Sequence, residues 1–194
     1  MSDTQHTARR GLGLAWVESM GGPLVVVPVS ALARWGGCTE DGEILGGTGG
    51  PDDYDRACAV EEYAGVVGLP GLSVSALVLG DMPSTTCYLS ERRAFVRWLA
   101  ADSDTGLLAA AEAVLEDPAA PWEECGVWET DGPAVLLDSA MAGGHLGIPF
   151  PGGHGRPEEA PVPVPAGRWR VQALHRYADG STSVGVVRLL PELA

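Results

Sequence analysis

Gly22-Pro23-Leu24-Val25-Val26-Val27 is a short apolar, β-branched run fenced by glycine and proline, and it returns as Gly132-Pro133-Ala134-Val135-Leu136-Leu137, about 110 residues on. Runs of this length and composition read as buried strands. A tryptophan precedes each copy, Trp16 in one and Trp128 in the other. Further on, Val74-Ser75-Ala76-Leu77-Val78-Leu79, closing at Pro83, is matched by Thr182-Ser183-Val184-Gly185-Val186-Val187, closing at Pro191. Both ends of the unit recur at nearly one offset. The spacing predicts an internal duplication, with residues 16–83 and 128–191 as related β units. Duplicated β units build scaffolds and surfaces more readily than reaction centres.

Outward from these strands, the pattern stays β-rich. Val66-Val67 and Val74 to Leu79 form a hairpin across Pro70-Gly71, and Trp169 to Tyr177 pairs with Ser183 to Leu190 around Ala178-Asp179-Gly180. Ala94 to Ala100 is a strand with Phe95, Arg97 and Leu99 on one face and Val96 and Trp98 on the other. Ser30 caps one helical turn up to Trp35. One longer helix stands out, from Asp104 to Glu116: Leu107, Leu108, Ala111, Val114 and Leu115 make a single apolar stripe. Asp102 or Ser103 caps it, and Pro118 stops it. Gly/Pro-rich loops occupy residues 36–53 and Ala142 to Pro165. The expected class is α+β, mainly antiparallel β. Residues 1–13 form a mobile tail, 14–100 a first β subdomain, 101–127 the helix and connection, and 128–194 a second β subdomain.

The 194 residues are 45% hydrophobic, enough for a sizeable core, while 27 glycines and 15 prolines predict many turns and few helices. The formal charge is −14, from 26 acids and 12 arginines. There is no lysine, which removes P-loop phosphate binding and Schiff-base chemistry. An acidic field repels nucleic acid and anionic membranes and favours a basic partner. Simple solubility explains the same charge. Cys38, Cys58, Cys87 and Cys125 are too dispersed for a zinc site and read as reduced, mostly buried thiols. Arg9-Arg10 is not followed by an uninterrupted apolar run or a cleavage motif, and no stretch has the length of a membrane span, so a cytoplasmic protein is expected.

No nucleophile elbow, zinc-protease helix, dinucleotide fingerprint or EF-hand loop is present. Cys87 near Arg92 and Arg93 lacks a base and reads as structural. Asp138, His145 and His154 cluster about one Gly/Pro loop. They are the alternative centre, for a small hydrolase-like enzyme or a metal- or ligand-binding β module. Two loop histidines are more often solvated than ligating. No catalytic residue, metal or cofactor is expected.

Charge patterning is more specific. Ten acids and no arginine lie between Arg97 and Arg156, and a second acidic run covers Glu40 to Glu62 with only Arg56 inside it. Dense like charge costs stability by self-repulsion, unless a basic partner neutralises it. Asp41, Glu43, Asp52, Asp53 and Asp55 sit on a long glycine-rich loop beside Trp35, which suits a recognition surface with an aromatic anchor. Trp35 and Trp122 border loops and are the tryptophans to expect at the surface. Trp16, Trp98, Trp128 and Trp169 fall in strands and belong to the core.

Four stretches stand out in combination: Trp16-Val17-Glu18-Ser19-Met20-Gly21-Gly22-Pro23-Leu24, Asp53-Tyr54-Asp55-Arg56-Ala57-Cys58, Ala76 through Gly80-Asp81-Met82-Pro83-Ser84-Thr85-Thr86, and Arg97-Trp98. Together they resemble the immunity protein 21 family, the antidotes of bacterial polymorphic toxins. The resemblance covers at least residues 16 to 100. It implies stoichiometric binding to a cognate toxin domain. An acidic inhibitor suits a basic toxin, most naturally a nuclease whose phosphate-binding cleft it occupies.

Overall fold

The computed structural model describes residues 13–80, 82–152 and 155–192. The expected tail, apart from Gly13, and His154 lie outside them. The strands are β1 (Trp16–Val17), β2 (Leu24–Pro28), β3 (Gly65–Gly68), β4 (Ser75–Leu79), β5 (Thr86–Leu89) and β6 (Ala94–Ala100), then β7 (Glu123–Thr130), β8 (Ala134–Asp138), β9 (Glu159–Val162), β10 (Gly167–Tyr177) and β11 (Ser183–Pro191). The α-helices are α1 (Asp53–Cys58) and α2 (Asp104–Glu116). Every strand pair is antiparallel.

The strands make two sheets, in the orders β1-β5-β6-β11-β10-β7 and β3-β4-β2-β8-β9. Leu24, Val26, Leu77 and Leu136 from the five-stranded sheet share one core with Phe95, Trp128, Val171 and Leu189 from the other. The outer face of the five-stranded sheet is covered too: Val25, Val27, Val78 and Leu137 pack under Ala31, Trp35, Ala57 and Leu146. On the opposite side, Leu107, Ala111 and Val114 of α2 cover Cys87, Val96, Leu174 and Val186. Burial on both faces explains why β2 reads as an unbroken Leu-Val-Val-Val run.

The two Gly-Pro strands are direct neighbours. β2 and β8 pair along their length, with Leu24 opposite Asp138 and Val26 opposite Leu136. β6 and β11 also pair, so both sheets contain strands from both halves of the chain. The far ends of the proposed repeat do not correspond. β4 lies beside β2 in one sheet, whereas β11 lies between β6 and β10 in the other. Residues 74–79 and 182–187 look alike because both strands are buried on both faces, not because they hold equivalent places.

Three strands depart from the expected loops. β5 was not expected, and the first part of β7, residues 123–127, falls in the expected connection, whereas Trp128 opens the expected second unit. β9 lies in the Gly/Pro-rich stretch; as an edge strand it tolerates Pro161, whose missing N–H breaks no interior ladder. The turn after β2 is a 3-10 helix, Val29–Arg34, with no side-chain cap; Ser30 donates its hydroxyl to Asp131 instead, at 2.8 Å.

Candidate functional site

Residues 36–53 were expected to form a long, exposed, charged loop, whose last residue instead opens α1. They cross the surface beside α1, but the structure shows a loop fastened from beneath. Asp52 is the N-cap of α1 and forms a capping box with Asp55: Asp52 Oδ1 accepts the Asp55 N–H at 2.8 Å, and Asp55 Oδ2 accepts the Asp52 N–H at 2.9 Å. The same carboxylates then reach across to the loop. Asp52 Oδ2 accepts the Thr39 N–H at 2.7 Å and its hydroxyl at 3.0 Å. Asp55 accepts the N–H groups of Glu43 at 2.7 Å and Ile44 at 2.9 Å. Asp53 accepts the Gly36 N–H at 2.6 Å and pairs with Arg56. Burial disfavours the charged form of Asp55, but the N–H groups of Asp52, Ile44 and Glu43 outweigh it and hold its carboxyl below the usual range.

The expected contact residues therefore separate into two groups. Asp52, Asp53 and Asp55 direct their carboxylates into the protein's own backbone. Asp41 and Glu43 face solvent, with Glu40 beside them. Among the described residues none of these three outward acids enters an ion pair. Directly after them the loop exposes Ile44 (52%) and Leu45 (61%), two aliphatic side chains with no local pattern to mark them in the sequence.

Trp35 is not at the surface. It is 1% exposed, packs in the core outside the five-stranded sheet, and donates its indole N–H to the Ser139 carbonyl at 3.0 Å. Its position next to Gly36-Gly37 suggested a loop, but the chain there turns inward against residues 139–143. Gly143 donates to the Trp35 carbonyl at 2.9 Å and Cys38 to the Ala140 carbonyl at 2.9 Å. Trp122 is half-buried beneath the Arg188 guanidinium, 3.8 Å from its ring centre. Of the cysteines only Cys87 is fully buried, and burial pushes its thiol up to about 12; Cys58 is exposed.

The acid-only stretch from Asp102 to Asp138 meets arginines that are remote in sequence. Arg168 pairs with Glu129, Arg170 with Glu124 at 3.5 Å, and Arg176 with Asp117 at 2.9 Å. Arg92 joins Glu112 and Glu116. Pairing of β7 with β10 sets acids beside arginines. Such exposed pairs add little stability, but they answer much of the self-repulsion without an outside partner.

The stretches quoted for the family resemblance converge in space. Tyr54 of α1 lies against Gly22, where a Cβ would stand 2.5 Å from the Tyr54 ring. Gly80 lies against the chain at Glu62, where a Cβ would stand 2.4 Å from the carbonyl oxygen. Arg97, 1% exposed, donates to the carbonyls of Tyr63, Leu79 and Met82. Gly22, Pro23, Tyr54, Cys58, Gly80 and Pro83 line one small recess of about 190 Å³. Burial and the neighbouring Cys58 push the Tyr54 hydroxyl up to about 12.

The alternative centre does not assemble among the described residues. Asp138 is 3% exposed and accepts the N–H groups of Met20 at 2.6 Å and Ala140 at 2.9 Å. His145 is exposed on a 3-10 turn and does not line the cleft beside Asp138. No group of three or more His, Cys, Asp or Glu side chains among the described residues could hold a metal ion. No helix among them is long and apolar enough to cross a membrane.

No curated protein and no solved structure matches the chain. A family model described as immunity protein 21 matches residues 15–182, from β1 through β10, with α2 and the loop held by Asp52 and Asp55; β11 lies beyond the match. The chain belongs to the immunity protein 21 family.

Proposed function

We propose that the protein neutralises a cognate bacterial toxin domain by direct one-to-one binding, and that the loop from Glu40 to Leu45 leads the contact. Membership of the family carries the general role of an immunity protein. The observation that supports this surface is the fastening of the loop. Asp52 and Asp55 fix its backbone, so Ile44 and Leu45 are displayed with little left to order on binding. Apolar anchors ringed by charge are how interfaces concentrate their energy. Here the charge is that of Glu40, Asp41 and Glu43, exposed just before the pair, which selects a basic partner and speeds its approach.

Inhibition by occupation needs no chemistry of the inhibitor's own, so the protein acts without catalysis, metal or cofactor. It works in the cytoplasm of the toxin-producing cell, and its partner is a protein rather than nucleic acid or membrane. A basic toxin such as a nuclease offers the surface that this loop complements. The test is co-expression with the toxin encoded beside it. Wild-type protein should protect the cell, and replacement of Ile44 and Leu45 by serine should abolish protection at unchanged protein level.

A further inference from the structure

The outer face of the six-stranded sheet is apolar at one end and polar at the other. Leu174, Val184 and Val186 lie in the cluster covered by α2, and Trp122 packs half-buried against that cluster. Side chains alternate along a strand, so Gln172, Arg170 and Arg168 follow Leu174 on the same face of β10. The register sets Arg188 of β11 beside Gln172, and Gln172 beside Glu124 of β7. Arg188 donates from Nε at 2.9 Å and from Nη2 at 2.7 Å to a single oxygen, Gln172 Oε1. Gln172 is 7% exposed, and its amide donates in turn to Glu124, which also pairs with Arg170. The Arg188 guanidinium lies on the Trp122 ring.

Arg188 is therefore fixed by a ring and by a buried amide, yet its acceptor is neutral. Among the described residues it enters no ion pair. A guanidinium carries five N–H donors, and Gln172 takes only those from Nε and Nη2. Burial disfavours the charged form of Arg188, nearby Arg170 disfavours it further, and Glu124 offsets only part of this. Trp122 has an unused donor as well. Its indole N–H, unlike those of Trp35, Trp128 and Trp169, donates to no group of the described residues.

We propose that Arg188, laid on Trp122 and steered by Gln172, is the docking point for a carboxylate on an acidic peptide segment of a partner protein. A planar carboxylate accepts two parallel N–H bonds from a guanidinium edge. That edge is already oriented, so little rotamer freedom is left to lose on binding. Arginine and tryptophan are also the residues on which interfaces concentrate their energy. Arg168 and Arg170 lie on the same face, and their ion pairs are exposed and weak, so they can turn to a second acid of the segment. The loop from Glu40 to Leu45 is held by α1, which packs outside the other sheet. The two surfaces thus lie on opposite sides of the paired sheets and differ in preference, and this inference does not depend on the toxin contact.

The test is NMR titration of the full chain with N-acetylated, amidated tetraglutamate, read at the Arg188 Nε–H and the Trp122 indole N–H. Both signals should shift together and saturate, and tetraglutamine should leave them in place. Arg188→Met keeps much of the stem on Trp122 and should weaken binding at least about tenfold, read at the indole signal. Arg168→Met removes the same charge from an exposed pair and should weaken it less than about threefold. Arg188→Lys keeps the charge but not the fork, so it should bind more weakly than wild type even if Arg188→Met disturbs the fold. No saturable shift, or equal losses in Arg168→Met and Arg188→Met, overturns the proposal. An equal shift with oligothymidylate of the same charge would make this a phosphate site and overturn it too. The same shifts produced by raising protein concentration without peptide would seat a second copy there instead.

Discussion

Asp55 Oδ1 accepts the N–H of Ile44 at 2.9 Å, so the first turn of α1 sets the position of an exposed side chain on a loop eleven residues earlier. Asp55→Ala should release that loop. Amide exchange at Glu43 and Ile44 should accelerate about tenfold or more, while core strands keep their protection. The pH dependence follows from the sign of the shift. The folded pKa of Asp55 lies below its unfolded value, so its stabilisation is full above that value and is lost as pH falls through the folded pKa. Protection at Ile44 should therefore decline on the acid side of about pH 4, before the sheets unfold.

Trp35 gives the sharpest contrast between burial and contact. Trp35→Ala should cost about 3–5 kcal/mol of stability, because it empties a large site in the core. Trp35→Phe should cost far less, since it mainly removes the hydrogen bond to Ser139. Chemical denaturation measures both. Toxin affinity of the folded Trp35→Phe protein should be unchanged, because the side chain is not at the surface.

Gly22 and Gly80 are both crowded, but by different kinds of neighbour. Gly80→Ala brings a Cβ against the Glu62 carbonyl, and backbone cannot swing away; Gly22→Ala meets the Tyr54 ring, which can. Overpacking costs about 1–3 kcal/mol, and Gly80→Ala should lie at the upper end. Adding Tyr54→Ala should rescue Gly22→Ala and leave Gly80→Ala unrescued. A double-mutant cycle on thermal unfolding reads the coupling.

Much of the fold was legible. Helix α2 begins and ends where its apolar stripe and caps place it, with Ser103 accepting the Gly106 N–H at 3.1 Å. The β3–β4 and β10–β11 hairpins follow from their turn residues. Phe95 and Val96 do face opposite cores. Partnership remote in the chain was not legible. That β4 and β11 enter different sheets, that Arg168 meets Glu129, and that Trp35 meets Ser139 are facts of topology, with no trace in local pattern. At the candidate site, the sequence marked the acidic loop but assigned all its aspartates to a partner. The capping-box spacing of Asp52 and Asp55 was the available sign that two of them cap α1 instead.

Outward charge and outward apolar surface should separate kinetically. Asp41→Asn with Glu43→Gln should slow association with the toxin and flatten its salt dependence, leaving the off-rate nearly unchanged. Ile44→Ser with Leu45→Ser should do the reverse and raise the off-rate, at a cost of about 2 kcal/mol or more in affinity. Surface plasmon resonance across a range of salt concentrations separates the two effects.

Calorimetric titration of the purified protein with the toxin domain encoded beside it tests toxin neutralisation through this loop most directly. The expected result is tight binding at one to one, lost in the Ile44→Ser, Leu45→Ser variant whose unfolding temperature matches wild type. Absence of binding by wild-type protein would contradict the immunity mechanism. Equal binding by wild type and variant would place the contact on another face.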